Sequence, residues 1–157
     1  MAVTKDDIKN TYPLPVYNYR VEIDGNALGF SEVSGLTMQT ETTTYKESPI
    51  AGGAPGPKVM HMPSQSMPAH VTLKRGVVPT GSVTTLYDWF NARQTNQIDK
   101  KDVVIRLCDE SGNPVISWTI VNAFPTKLDA PTFDAGSDDV ALETMELMGD
   151  NITLATA

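Results

Sequence analysis

At 157 residues, with 40% apolar and 20% charged side chains, the chain has the balance of a globular protein and the length to bury about 70% of its unfolded surface. Its net charge of −7 argues against a nucleic-acid-binding module that relies on a basic patch, and its single cysteine, Cys108, excludes an internal disulfide. No apolar run nears the ~20 residues that span a bilayer. The N-terminus lacks the charged, oily, then small order of a signal peptide, which implies synthesis in the cytosol without export by that route. One domain over residues 1–157 is predicted.

Residues 1–14 read as an extended N-terminal arm ending in Tyr12-Pro13-Leu14-Pro15. Val16–Ile23 then alternates as a strand, with Tyr17, Tyr19, Val21 and Ile23 on one face and Asn18, Arg20 and Glu22 on the other. Asp24-Gly25-Asn26 turns the chain into a second strand, Leu28–Val33. A third run, Thr37–Lys46, is Thr-rich with Met38 and Tyr45 its largest side chains. A strand so polar on both faces suits an edge or a partner in another chain.

Ser48–Pro68 carries five prolines, three glycines and three methionines in 21 residues. A domain rarely keeps so long a connection without using it. Lys58 follows a Gly-rich run, but no Ser or Thr follows it and no oily strand precedes it, so a phosphate loop is not indicated. His61 and His70 stand nine apart with no acid or thiol between them, a poor metal pattern. The predicted use is an assembly arm: Tyr45, Ile50, Pro57, Val59, Met60, Met62 and Met67 supply deformable or rigid contact surface for a neighbour.

Ala69–Gly76 alternates again, with Val71 and Leu73 on its oily face. A helix over Val83–Arg93 follows, with Ser82 as N-cap and Val83, Leu86, Trp89 and Phe90 in one stripe. The strongest hairpin signal is Val103–Cys108 and Val115–Ala123 around the polar turn Asp109–Pro114. Val103, Ile105 and Leu107 share a face with Ile116, Trp118 and Ile120 by this alternation. Thr126–Ser137 reads as a loop. Asp139–Met148 fits strand or helix, and a final strand closes a domain of about seven strands with one helix. The predicted core is Val21, Ile23, Leu73, Leu86, Trp89, Phe90, Ile116, Trp118 and Ile120.

Charge is unevenly placed. Residues 127–157 hold seven acids against one base, Lys127, while the remainder is nearly neutral. Such a surface would repel nucleic acid weakly, which suits a wall that it slides past. A small hydrolase would need a nucleophile, a base and an orienting group together, and the only histidines sit in or beside the proline-rich arm. The Asp109-Glu110 pair is accounted for by its turn. A recognition or adhesin module would display aromatics to solvent, whereas Trp89 and Trp118 fall on oily faces.

The blocks YPLPVYNYRVEIDG, GFSEVSGL, LKRG, LYDW, RLCDESGNPVISWTIVNAFPTKLDAP and VALETMEL, in that order over about residues 12–149, resemble the tail tube proteins of contractile bacteriophages and phage-derived contractile injection systems. The resemblance implies a β-sandwich or barrel with one packed helix, and hexameric rings that stack into a hollow tube. It implies a long loop that reaches a neighbouring subunit, and no chemistry and no cofactor. The implied partners are other copies of the chain, a sheath, baseplate hub and spike proteins, a tube terminator, and DNA or protein cargo in the lumen. The implied location is a virion or an injection particle.

Overall fold

A computed structural model describes residues 2–50, 52–53, 55–80, 84–92 and 98–156. Among them are two short helices, α1 (Lys5–Thr11) and α2 (Thr85–Asn91), and ten strands. The strands are β1 (Tyr19–Ile23), β2 (Asn26–Leu28), β3 (Glu32–Ser34), β4 (Thr40–Glu47), β5 (Lys58–Ser66), β6 (Ala69–Gly76), β7 (Lys101–Cys108), β8 (Pro114–Asp129), β9 (Leu142–Gly149) and β10 (Asn151–Thr156). The fold is mainly β and antiparallel throughout, in the order β2-β1-β7-β8-β9-β6-β3. β10 also pairs with β8, and β4–β5 form a separate two-stranded ribbon.

The 16-residue β8 joins the two halves. Its first part lies between β7 and β10, and its second part pairs with β9. β9 and β10 are separated by Asp150 alone and run consecutively along β8, with Met148 opposite Phe124 and Asn151 opposite Val121. Both lines are interrupted at the junction. Asn122 takes φ +53, and its backbone N–H donates to Asp102 Oδ1 at 3.0 Å. Its side-chain amide donates to Asp150 Oδ2 at 2.8 Å, and the Asp150 N–H donates to the Val121 carbonyl at 2.9 Å. This extra residue switches which side chains point inward: Ile120 is buried before it, Ala123 and Pro125 after it. Gly149 lies against the same junction, where an added Cβ would sit 2.5 Å from Ile120 Cγ2.

The core draws on both halves. Val21, Ile23, Val103, Ile105, Ile120 and Ile152 pack with Val71, Leu73, Met145 and Leu147, and α2 adds Leu86 and Trp89. Trp89 satisfies its indole N–H on the Asp99 carbonyl at 3.0 Å, so burying the ring leaves no polar group unpaired. Phe90, Ile116 and Trp118 of the predicted core are only partly buried.

Several expectations change. The N-terminal arm is not wholly extended. Lys5–Thr11 is helical because Thr4 and Asp7 form a reciprocal capping box. Tyr17 is 81% exposed and precedes β1 rather than sharing its inner face. The second strand divides: β2 ends at Leu28, and Glu32–Ser34 crosses to pair with β6. β8 continues to Asp129, into the expected loop. β9 starts at Leu142 and not at Asp139, and β10 adds a strand beyond the expected final one. Ser82, Val83 and Arg93, the expected cap and ends of the helix, lie outside the described residues.

A candidate assembly surface

The Ser48–Pro68 arm is not an aperiodic loop. Residues Lys58–Ser66 form β5, which pairs along the Thr-rich β4 and with no other strand among the described residues. The ribbon is fixed at its base. The Met67 N–H donates to the Gln39 carbonyl at 3.4 Å, and Gly35, at φ +87, leads out of β3. A Cβ on Gly35 would lie 2.6 Å from the His70 carbonyl oxygen, so only glycine lets the chain leave β3 this close to β6.

Register sorts the arm residues by face. Tyr45 stands opposite Met60, and Thr43 opposite Met62, so Tyr45, Met60 and Met62 share one face. Val59 lies on the other, opposite Lys46. There too Thr44 Oγ1 meets His61 Nδ1 at 3.1 Å. Ile50 and Pro57 fall in the connection between the strands, Ile50 at 94% exposure, and Met67 lies at the root. Tyr45, Val59 and Met62 are exposed as well, and Met60 is half-buried. Residues 40–66 carry Glu41 and Glu47 against Lys46 and Lys58, so the ribbon is neutral in a chain of net −7.

A second apolar surface, which the sequence reading missed, lies on the sheet. Cross-strand partners on β1, β7, β8 and β10 form rungs on one face. The rung Ile23–Val103–Ile120–Ile152 is wholly buried. In the next, Val21 and Ile105 are buried, Trp118 is half-buried and Leu154 is 52% exposed. In the third, Tyr19, Leu107 and Ile116 are all half-buried and Thr156 is exposed. Cover therefore fails toward the β7–β8 turn, because β9 pairs with β8 only beyond Ala123. The result is an apolar groove of about 350 Å³ lined by Val16, Tyr19, Val33, Leu36, Leu107 and Trp118, among others. Tyr19 donates its hydroxyl to the Phe30 carbonyl at 2.6 Å. Burial, and then the charge of Glu32, raise its pKa above the usual 10.0. The signal available in sequence was the Ile152, Leu154 alternation, too short to stand alone.

His61 and His70 are both exposed, and no group of three or more His, Cys, Asp or Glu among the described residues is placed to hold a metal. Cys108 is buried opposite Pro114. No helix among the described residues is long and apolar enough to cross a membrane.

Residues 15–153 match the model of a family described as T4-like virus tail tube protein gp19. The chain belongs to this family. Solved relatives of this tail tube protein come from contractile injection systems. One is a chain of the sheath–tube complex of an extracellular contractile injection system, PVC, in its extended state. It is 35% identical with a TM-score of 0.88, over 99% of this chain and 100% of that one. Another is a chain of the anti-feeding prophage cap that terminates the tube, 37% identical with a TM-score of 0.84 and full coverage of both chains. A third, from the PVC sheath/tube terminator in its extended state, is 37% identical with a TM-score of 0.82, covering 92% of this chain and 98% of that one. A comparison with curated protein sequences gave no match.

Proposed function

We propose that this tail tube protein is the structural subunit of the hollow inner tube of a contractile tail or injection particle. Hexameric rings of it stack into a conduit for DNA or protein cargo. The observation that carries this reading is the β4–β5 ribbon. It pairs only with itself among the described residues and holds Tyr45, Met60 and Met62 on one face, in a chain whose full length resembles tube-complex chains. A two-stranded ribbon is marginal in water by itself, so docking on a neighbour supplies the missing cover. Head-to-tail contacts that close give rings, and stacking then continues without limit.

The chain acts as one domain over residues 1–157, with the N-terminal segment 1–14 and the arm 48–68 as its extensions. Its partners are further copies of itself, the sheath, the tube terminator, and the hub and spike of a baseplate. Its role is structural, without catalysis or cofactor. It functions within the assembled particle. Native mass spectrometry of the purified protein tests this: masses at multiples of six chains are expected, and a purely monomeric or dimeric protein at assembly concentrations contradicts it.

A further inference from the structure

We propose that Met62 is a methionine-oxidation site through which hydroperoxides block assembly of the free chain. This rests on the tube-subunit reading and adds a chemical control to it. The most exposed methionines among the described residues all lie between residues 38 and 67. Met38 is 57% exposed, Met62 43% and Met67 38%, whereas Met145 in the core is 0% exposed. The single thiol does not compete for oxidant, because Cys108 is buried opposite Pro114. Oxidants act on sulfur according to its access, so on this chain they meet these methionines first.

Register separates the three. Met38 precedes β4 and Met67 follows β5, so both stand outside the paired strands. Met62 lies within β5, on the face it shares with Tyr45 and Met60. Met60 is opposite the large Tyr45 and is half-buried, while Met62 is opposite the smaller Thr43 and is exposed. Met62 is therefore the methionine that combines an open side chain with a place on the ribbon's apolar face.

The step is a two-electron oxygen transfer. The thioether sulfur attacks one oxygen of the hydroperoxide, and an S–O bond forms as the O–O bond breaks. Sulfur is oxidised, and the hydroperoxide is reduced to water or an alcohol, taking the proton of the transferred oxygen. The sulfoxide replaces a flexible apolar side chain by a polar, chiral one, a change that disrupts Met-rich interfaces. Its oxygen carries a desolvation cost wherever a neighbour covers it without supplying a donor. The change is reversed by methionine sulfoxide reductases, one enzyme for each epimer, so the block acts as a switch.

The test treats the purified, unassembled parent and Met62→Leu with hydrogen peroxide. Peptide mass spectrometry maps the added oxygen, and negative-stain microscopy scores rods. Leucine keeps the apolar volume and has no sulfur to oxidise. In the parent, Met62 should gain oxygen at least about tenfold faster than Met145. The oxidised parent should keep its circular dichroism and lose its rods, while peroxide-treated Met62→Leu should still form them. Treatment with both reductases should clear the oxygen from Met62 and restore rods together. Preformed rods given the same dose should keep Met62 reduced.

Equal oxidation of Met62 and Met145 would overturn the proposal, and so would rods from a parent whose Met62 is fully oxidised. An oxidised parent that unfolds counts against it too, because the lesion then acts on the core. Loss of rods from peroxide-treated Met62→Leu to the same extent as from the parent, or oxidation of Met62 in rods at the free rate, has the same force. If Met62→Leu forms no rods before treatment, the reductase arm decides. Rods that return while Met62 stays oxidised, or stay absent once it is reduced, overturn the proposal. An untreated parent without rods counts against the tube reading itself, and the oxidation rates of Met62 and Met145 then still decide whether the site exists.

Discussion

Trp89 and Trp118 occupy different kinds of place, and their contributions should differ accordingly. Trp89 is 6% exposed, belongs to the buried core and satisfies its indole N–H on Asp99. Truncation to alanine should cost about 3–5 kcal/mol, the range for large aromatics removed from cores. Trp118 lies on a rung whose outer member, Leu154, is half-exposed, so its removal should cost about 2 kcal/mol, because less apolar area leaves cover. Chemical denaturation of the unassembled protein checks the order, and a Trp118 loss equal to that of Trp89 would contradict it. Tyr19 supplies a second residue-level expectation. Its raised pKa means that folding favours the protonated hydroxyl, so the stabilisation is fully present below pH 10 and is lost as pH rises through the higher folded value. Tyr19→Phe should therefore show a shallower fall of stability between about pH 9 and 12 than the parent. An identical alkaline limb would show that this hydroxyl does not report on folding.

At the scale of elements, the β4–β5 ribbon is separable from the sheet that carries it. It shares no strand pairing with the other eight strands, and its base is closed by the Met67–Gln39 hydrogen bond. Replacing residues 40–66 with a short Gly-Ser linker should spare the fold, since loop length changes stability only slowly. The same change should abolish rods. Circular dichroism and negative-stain microscopy of that variant check the two halves, and either an unfolded chain or normal rods would contradict the assignment. The β7–β8 hairpin was legible from residues alone, because branched and aromatic side chains flank a turn in which Gly112 takes φ +81. The ribbon was harder to read. β4 has one large apolar side chain, Tyr45, and Val59 and Pro63 interrupt the Met60, Met62 alternation, so the apolar face exists only once the two strands are in register. The bend in β8 was not legible either. Asn122 and Asp150 stand 28 residues apart and act through a side-chain contact that spacing does not reveal. β10 is six residues long with two large apolar side chains, less than periodicity can resolve.

At the scale of the whole molecule, the chain leaves apolar side chains uncovered on both its sheet and its ribbon. Its core is closed where β8 bends and open toward the β7–β8 turn, and the net-neutral residues 40–66 hold a ribbon that pairs only with itself among the described residues. The proposed arm-to-neighbour contact, repeated around a ring and along a stack, would let contacts of modest strength sum over many copies. On the proposed reading, the acid-rich residues 127–157 would oppose random association of copies, while the net-neutral residues 40–66 would approach a neighbour without that repulsion. The most direct test is a cryo-electron microscopy reconstruction of rods grown from the purified protein. Six subunits per ring around an open lumen, with the β4–β5 ribbon of each resting on another subunit, is the expected result. A solid filament, or a ribbon folded back onto its own sheet, would contradict it.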